Sequence, residues 1–243
     1  MRKCEECGNP SVVGEGMMNM DDYIYNTTRD LFGLKKDLVG FGSDLFYIKK
    51  IKQNMANEII VKNHYSHKYY NLSYIHLGLF INGEMLGVLQ YGYALNPASG
   101  ANIVPGTGNK EYLELNRMWI DDKADKNTES KAISYSIKYI RRAFPKVCFI
   151  QSFADERCCC FGIVYQACSF DYFGEHTSVF WEYNGEYYHN IQMTADKRNK
   201  ELKDNKDEAI RHELRQFRYI KFLNKRARKK CTLTIKPYPK HYQ

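Results

Sequence analysis

The chain lacks any apolar run long enough to span a bilayer as a helix, which excludes a helical membrane protein. No apolar segment follows Met1-Arg2-Lys3-Cys4-Glu5-Glu6-Cys7, so the opening does not read as a secretory signal. The expectation is a cytoplasmic protein whose eight cysteines are reduced thiols rather than a disulfide framework. Repeats and low-complexity tracts are absent too, leaving one large domain, or one domain with extensions, for 243 residues. A second CxxC is missing. Cys4-x-x-Cys7 before Gly8-Asn9-Pro10 is half of a structural zinc site, which takes four ligands. Cys158, Cys159, Cys160, Cys168 or a histidine would have to complete it.

Acidic residues are nearly missing from one segment. Between Arg211 and Lys230 nine Lys and Arg stand against one acid, Glu213. That excess equals the net charge of the whole chain, 36 basic residues against 28 acidic. A basic block on a balanced body points to a polyanionic partner. Candidate phosphate contacts are Arg211, Arg215, Arg218, Lys221, Lys225 and Arg226. Interleaved Phe217, Tyr219, Ile220, Phe222 and Leu223 suggest a docked amphipathic helix over residues 208–230 with one basic side.

What is present is a 44% apolar chain rich in tyrosine (20) and phenylalanine (13), ample for a core and for strands. Residues 11–43 read as loop. Strands are expected at 46–51, 73–81, 84–93, 112–120, 147–153, 178–183 and 186–191. Helices are expected at 54–63, 130–143 and about 159–169. Asn82-Gly83 and Asn184-Gly185 carry the signal of type I′ hairpin turns. The result is an α/β fold: a mixed parallel and antiparallel sheet of about six to seven strands with crossover helices, plus a basic C-terminal helix. This order is similar to the GCN5-related N-acetyltransferase fold. The division expected is an N-terminal extension over 1–43, a catalytic domain over 44–195 and a basic extension over 196–243.

Chemistry concentrates after the strand at 147–153. A carboxylate (Asp155), a guanidinium (Arg157) and Cys158-Cys159-Cys160 occupy the loop before a helix, where α/β folds place reactive groups. His64 and His67 are three apart, a spacing that on a helix puts both on one face.

One set of motifs runs through the chain in order: His64-Tyr65-Ser66-His67, Leu115-x-Arg117-x-Trp119, Asn127-x-x-Ser130, Ser152-Phe153-Ala154-Asp155 and Gly162-x-x-Tyr165-Gln166-Ala167. It resembles the Mom family of bacteriophage DNA-modification proteins over roughly residues 45–190. The resemblance implies transfer of a carbamoylmethyl (methylcarbamoyl) group to N6 of adenine in DNA, in a host cytoplasm, shielding phage DNA from restriction. It places the functional positions on His64, Tyr65, Arg117, Ser130, Asp155 and Tyr165. Asp155 is the first choice for general base and His64 the second. DNA is the expected partner and no membrane is. Residues 125–130 hold no glycine that would let backbone approach a pyrophosphate, which argues against coenzyme A as donor. The transferred group has the atoms of glycinamide, so an activated glycyl group such as glycyl-tRNA is the candidate donor. A metal-dependent route through Zn or Fe is the competitor, with His64, His67 or the cysteines (Cys4 and Cys7 among them) as ligands. Two other classes fit: a conventional N-acyltransferase acting on protein or tRNA, and a non-catalytic nucleic-acid-binding protein.

Overall fold

The computed structural model describes residues 39–158, 161–190 and 200–239. Nine strands form one sheet in the order β1-β2-β3-β4-β5-β6-β9-β7-β8. They are β1 (Gly40–Ser43), β2 (Phe46–Lys50), β3 (Ser73–Ile81), β4 (Glu84–Gly92), β5 (Tyr112–Ile120), β6 (Phe149–Asp155), β7 (Asp171–Tyr183), β8 (Glu186–His189) and β9 (Ile210–Phe222). Every neighbouring pair is antiparallel except β5 and β6. The mixed α/β class matches the sequence expectation; the sheet has nine strands rather than six or seven. Among the described residues no helix is long and apolar enough to cross a membrane.

Helices cover both faces. On one lies α3 (Thr128–Ala143), the crossover between parallel β5 and β6. Its Ala132, Ile133, Ile137 and Ile140 pack with Leu77, Leu79, Leu89, Tyr91 and Ile150 into the main core. On the other lies α1 (Gln53–Asn63), whose Ala56 and Ile60 close over Val88 and Trp119. Each strand feeds both layers because its side chains alternate. Short α2 (Gly100–Ile103) sits in the long loop before β5 and helps bury Tyr112, Phe149 and Ile220 in a second cluster on the α1 side. The two predicted hairpins form. Asn82 and Gly83 (φ 52° and 84°) and Asn184 and Gly185 (φ 52° and 75°) all adopt the positive φ that a type I′ turn needs.

The basic segment departs from expectation. Residues 208–230 are not a helix: Ile210–Phe222 is a strand inserted between β6 and β7. Charge interleaved with apolar residues suggested a docked amphipathic helix, but aromatic and β-branched content decided the outcome. Phe217 and Tyr219 face the α3 core, while Ile220 and Phe222 face the opposite cluster. An apolar residue is needed on both sides here, which only a central strand supplies. Only Lys225–Lys230 is helical. Two further expectations shift. Residues 40–43 pair with β2 instead of forming loop. The helix after β6 shrinks to α4 (Ile163–Ala167).

Candidate functional site

The site begins where two parallel strands separate. β5 and β6 pair at Tyr112↔Phe149, Leu113↔Ile150 and Glu114↔Gln151, and then stop. β5 nevertheless continues to Ile120 and β6 to Asp155, so a cleft opens beyond Glu114. A bulge helps shape it. Tyr91 pairs with Leu115 and Gln90 with Arg117, leaving Asn116 as the extra residue. The bulge places Leu115 in the α3 core and Arg117 with Gln90, on the α1 side. Asn116 is fixed by donating to the Tyr93 carbonyl (3.1 Å) and accepting from Ser73 Oγ (2.9 Å).

On the α1 side four of the expected residues converge. His64 follows the last residue of α1 and His67 lies in the turn beyond, at φ 46°, so the two do not share a helical face. The Ser66 backbone N–H donates to His64 Nδ1 (3.1 Å). Nδ1 is therefore an acceptor, and the neutral ring carries its hydrogen on Nε2. Burial, then the Arg117 charge, lowers the His64 pKa to about 3. The Tyr65 ring lies 4.2 Å from the His64 ring. Arg117 donates from Nε to the Lys68 carbonyl (3.0 Å) and from Nη1 to the Asn116 carbonyl (2.7 Å). Burial is the main cause of its lowered pKa.

Asp155, 6% exposed, ends β6. Arg157 donates to both of its oxygens, Nε at 2.9 Å and Nη2 at 2.6 Å, and adds its backbone N–H at 3.0 Å. This fork sets the guanidinium among the rings of Phe180 (4.5 Å), Tyr187 (5.2 Å) and Tyr65 (5.6 Å). Lys68 closes the wall: it pairs with Glu186 (2.8 Å) and sits over Tyr188 (3.8 Å), joining the 64–72 loop to the β7–β8 hairpin.

Ser130 and Tyr165 lie on the other face. Ser130 is in the first turn of α3, donating to the Asn127 carbonyl (2.9 Å). It lines a cleft of about 570 Å³ with Asn82, Lys126, Thr128 and Lys131. Tyr165 on α4 packs against Phe170 and Tyr219 within the α3-side core. Gly162 starts α4 at φ 78°, and a Cβ there would stand 2.4 Å from the Tyr219 ring, so glycine is required twice over.

The chain matches the model of the Mom protein family over residues 45–240. The methylcarbamoylase mom of Escherichia phage Mu is 49% identical over 210 residues, covering 84% of this chain and 87% of that protein. The chain belongs to the Mom family. Solved structures similar to it include the ribosomal-protein-S5-alanine acetyltransferase of Vibrio fischeri (12% identity, TM-score 0.44, 77% and 98% of the two chains). Another is a GNAT-family acetyltransferase of Streptococcus pneumoniae (12% identity, TM-score 0.43, 74% and 99%). At these scores the likeness carries no argument about the site.

In this Mom-family chain the basic block is divided among different surroundings. Arg211 pairs with Glu213 (2.7 Å), and Arg215 with Glu156 (2.8 Å). Arg218 lies over the Phe153 ring (5.3 Å). Lys221 donates to the carbonyls of Cys168 (2.8 Å) and Ser169 (2.9 Å). Lys225 and Arg226 open the short helix beyond β9. β9 runs antiparallel to β6, with Gln216 beside Asp155 and Phe222 beside Phe149. At about 3.3 Å per residue, Lys225 and Arg226 stand roughly 20 Å or more along the sheet from Asp155.

Glu114 and Gln151, which the motifs passed over, stand at this opening, and Arg218, expected from the sequence as a phosphate contact, lies beside them on the α1 side. The available signal was a carboxylate inside an apolar strand, Tyr112-Leu113-Glu114-Leu115. Among the described residues no group of three or more His, Cys, Asp or Glu could hold a metal ion. Cys4, Cys7, Cys159 and Cys160 lie outside the described residues.

Proposed function

We propose that this Mom-family chain is a DNA-modification transferase that places a carbamoylmethyl group on N6 of adenine, protecting phage DNA from restriction. The observation that carries the reading is the convergence of His64, Tyr65, Arg117 and Asp155, from three separate stretches, beside the point where β5 and β6 part. Their relative in phage Mu is named a methylcarbamoylase.

Adenine N6 is a poor nucleophile because its lone pair is delocalised into the ring. It is also paired in a duplex, so the base must leave the stack before it reacts. Exposed Tyr65 and Tyr187 beside the Arg157 guanidinium offer aromatic and cationic faces on which an extruded base can stack. Asp155 holds that guanidinium in place. Arg117 and the Nε2–H of His64 supply donors for a carbonyl or phosphate oxygen. Ser130 and the cleft at the start of α3 lie on the opposite face of the sheet, the side from which this reading brings the donor.

The donor in this scheme is a glycyl ester such as glycyl-tRNA. N6 attacks the ester carbonyl and expels the alcohol, giving an N6-glycyl amide. The glycine amine then attacks ring carbon C6 through a five-membered intermediate, and N6 departs from C6 as the carboxamide nitrogen. DNA labelled with heavy nitrogen at N6 is expected to carry the label in the side-chain carboxamide; label still bonded to the ring contradicts this route. The function itself is tested by mass spectrometry of nucleosides from the DNA of cells expressing the chain. A carbamoylmethyl adenine nucleoside absent from control cells is expected, and its absence in both contradicts the assignment.

A further inference from the structure

Glu114 forms the last rung before the β5–β6 pairing ends, opposite Gln151. Gln151 Nε2 donates to Glu114 Oε2 (2.7 Å) and Asn116 Nδ2 to Oε1 (3.3 Å). Gln151 is 3% exposed, yet its Oε1 finds no hydrogen-bond partner among the described residues. Nor does Nε of Arg218. On the sheet Gln151 pairs with Ile220 and Phe153 with Arg218, so Gln151 and Arg218 are diagonal neighbours on the α1 side. An acceptor and a donor buried without partners each cost stability, and a ligand that supplies both partners recovers it.

The other candidate bases are committed elsewhere. Both oxygens of Asp155 are held by Arg157, and His64 Nδ1 accepts from Ser66, leaving Nε2 protonated. Glu114 accepts only from the neutral amides of Gln151 and Asn116, with no cation bonded to its carboxylate among the described residues. Burial raises its carboxyl pKa to about 7, against the smaller opposing pull of Gln151, Asn116, Arg117 and Arg218. Tyr70 from the 64–72 loop and Tyr112 on β5 also face it. A carboxyl poised near neutrality is suited to taking and returning a proton.

We infer that Glu114, Gln151 and Arg218 form the pocket for the amino edge of the adenine, with Glu114 as the catalytic group that takes the N6 proton. This rests on the adenine chemistry proposed above. As N6 attacks the glycyl ester carbon, the N6–C bond forms and the ester C–O bond breaks with its electrons on oxygen. The N6 proton passes to the Glu114 carboxylate, which returns it to the departing oxygen. The second N6 hydrogen is donated to Gln151 Oε1, and Arg218 Nε donates to the neighbouring ring nitrogen. Guanine presents an oxygen at this position. It would meet Gln151 Oε1 and the carboxylate acceptor to acceptor, so the same pocket selects adenine.

The test uses lysate of cells expressing the full chain, which supplies the native donor, with added duplex DNA and nucleoside mass spectrometry. Wild-type rate is expected to rise with pH through about 7. Glu114→Gln should lose on the order of 100-fold or more in rate and lose that rise, with far-UV circular dichroism and DNA affinity unchanged. Arg218→Met, which keeps the stem but removes the donor, should fall at least about tenfold. A Glu114→Gln protein with near wild-type rate or the same pH rise overturns the inference, as does an unimpaired Arg218→Met should Glu114→Gln fail to fold. A wild-type lysate giving no adduct overturns the proposed function instead.

Discussion

Arg157 grips both oxygens of Asp155, at 2.9 and 2.6 Å, only two residues along the chain. The pair is largely withdrawn from water, with side-chain exposures of 21% and 7%. This makes Asp155 the anchor of a cation set among Tyr65, Phe180 and Tyr187. Removing one partner of a buried pair costs about 3–5 kcal/mol, largely because the other charge is left stranded. Asp155→Ala is therefore expected to be strongly destabilised in urea unfolding. Asp155→Ala with Arg157→Met should recover roughly 1–2 kcal/mol of that loss. Simple additivity of the two changes contradicts the pairing.

Glu114 gives stability an unusual pH dependence. Its folded pKa, about 7, lies above the ordinary 4.5. Between those values the folded chain binds more protons at this carboxyl than the unfolded chain, so stability falls as pH rises through the window and stays reduced above it. Glu114→Gln removes the loss. The difference in melting temperature between Glu114→Gln and wild type should grow from pH 5 to pH 7.5 in favour of the variant, and then level off. A difference that does not change over this range refutes the raised pKa.

The divided basic block predicts divided effects on DNA binding. Arg215 already satisfies Glu156 and Arg228 pairs with Asp171 (2.8 Å), whereas Lys225 and Arg226 open a helix that ends in Lys229 and Lys230. Each lost phosphate contact lowers the slope of log affinity against log salt by about one. Lys225→Ala with Arg226→Ala should reduce the slope by about two, and Arg215→Ala by much less. Fluorescence anisotropy over a salt series measures both, and equal slopes for the two variants contradict this division.

The hairpins, the crossover helix and the strand entering the site were legible because each shows its own period or turn signal. Asn82-Gly83 and the apolar positions of α3 are local statements. β9 was not legible as a strand: the cations of the 211–230 block obscured aromatics that serve two buried faces, and only its neighbours β6 and β7 decide between helix and strand. The motifs named His64, Tyr65, Arg117 and Asp155, which the fold gathers, and Ser130 and Tyr165, which it places across the sheet. They could not show that Arg157 occupies Asp155. Nor could they show that Glu114 is the final rung of a parting pair, because register is a property of two strands and not of one.

Arg117 bears most directly on the central claim, that the opening between β5 and β6 is where DNA adenine is modified. Its Nε and Nη1 anchor it to the Lys68 and Asn116 carbonyls, a fork that lysine cannot reproduce despite its charge. Nucleosides from the DNA of cells expressing wild type or Arg117→Lys at matched soluble levels should be compared by mass spectrometry. The account predicts a carbamoylmethyl adenine nucleoside with wild type and at least a tenfold loss, roughly, with the variant. Equal adduct from both proteins would place the chemistry elsewhere.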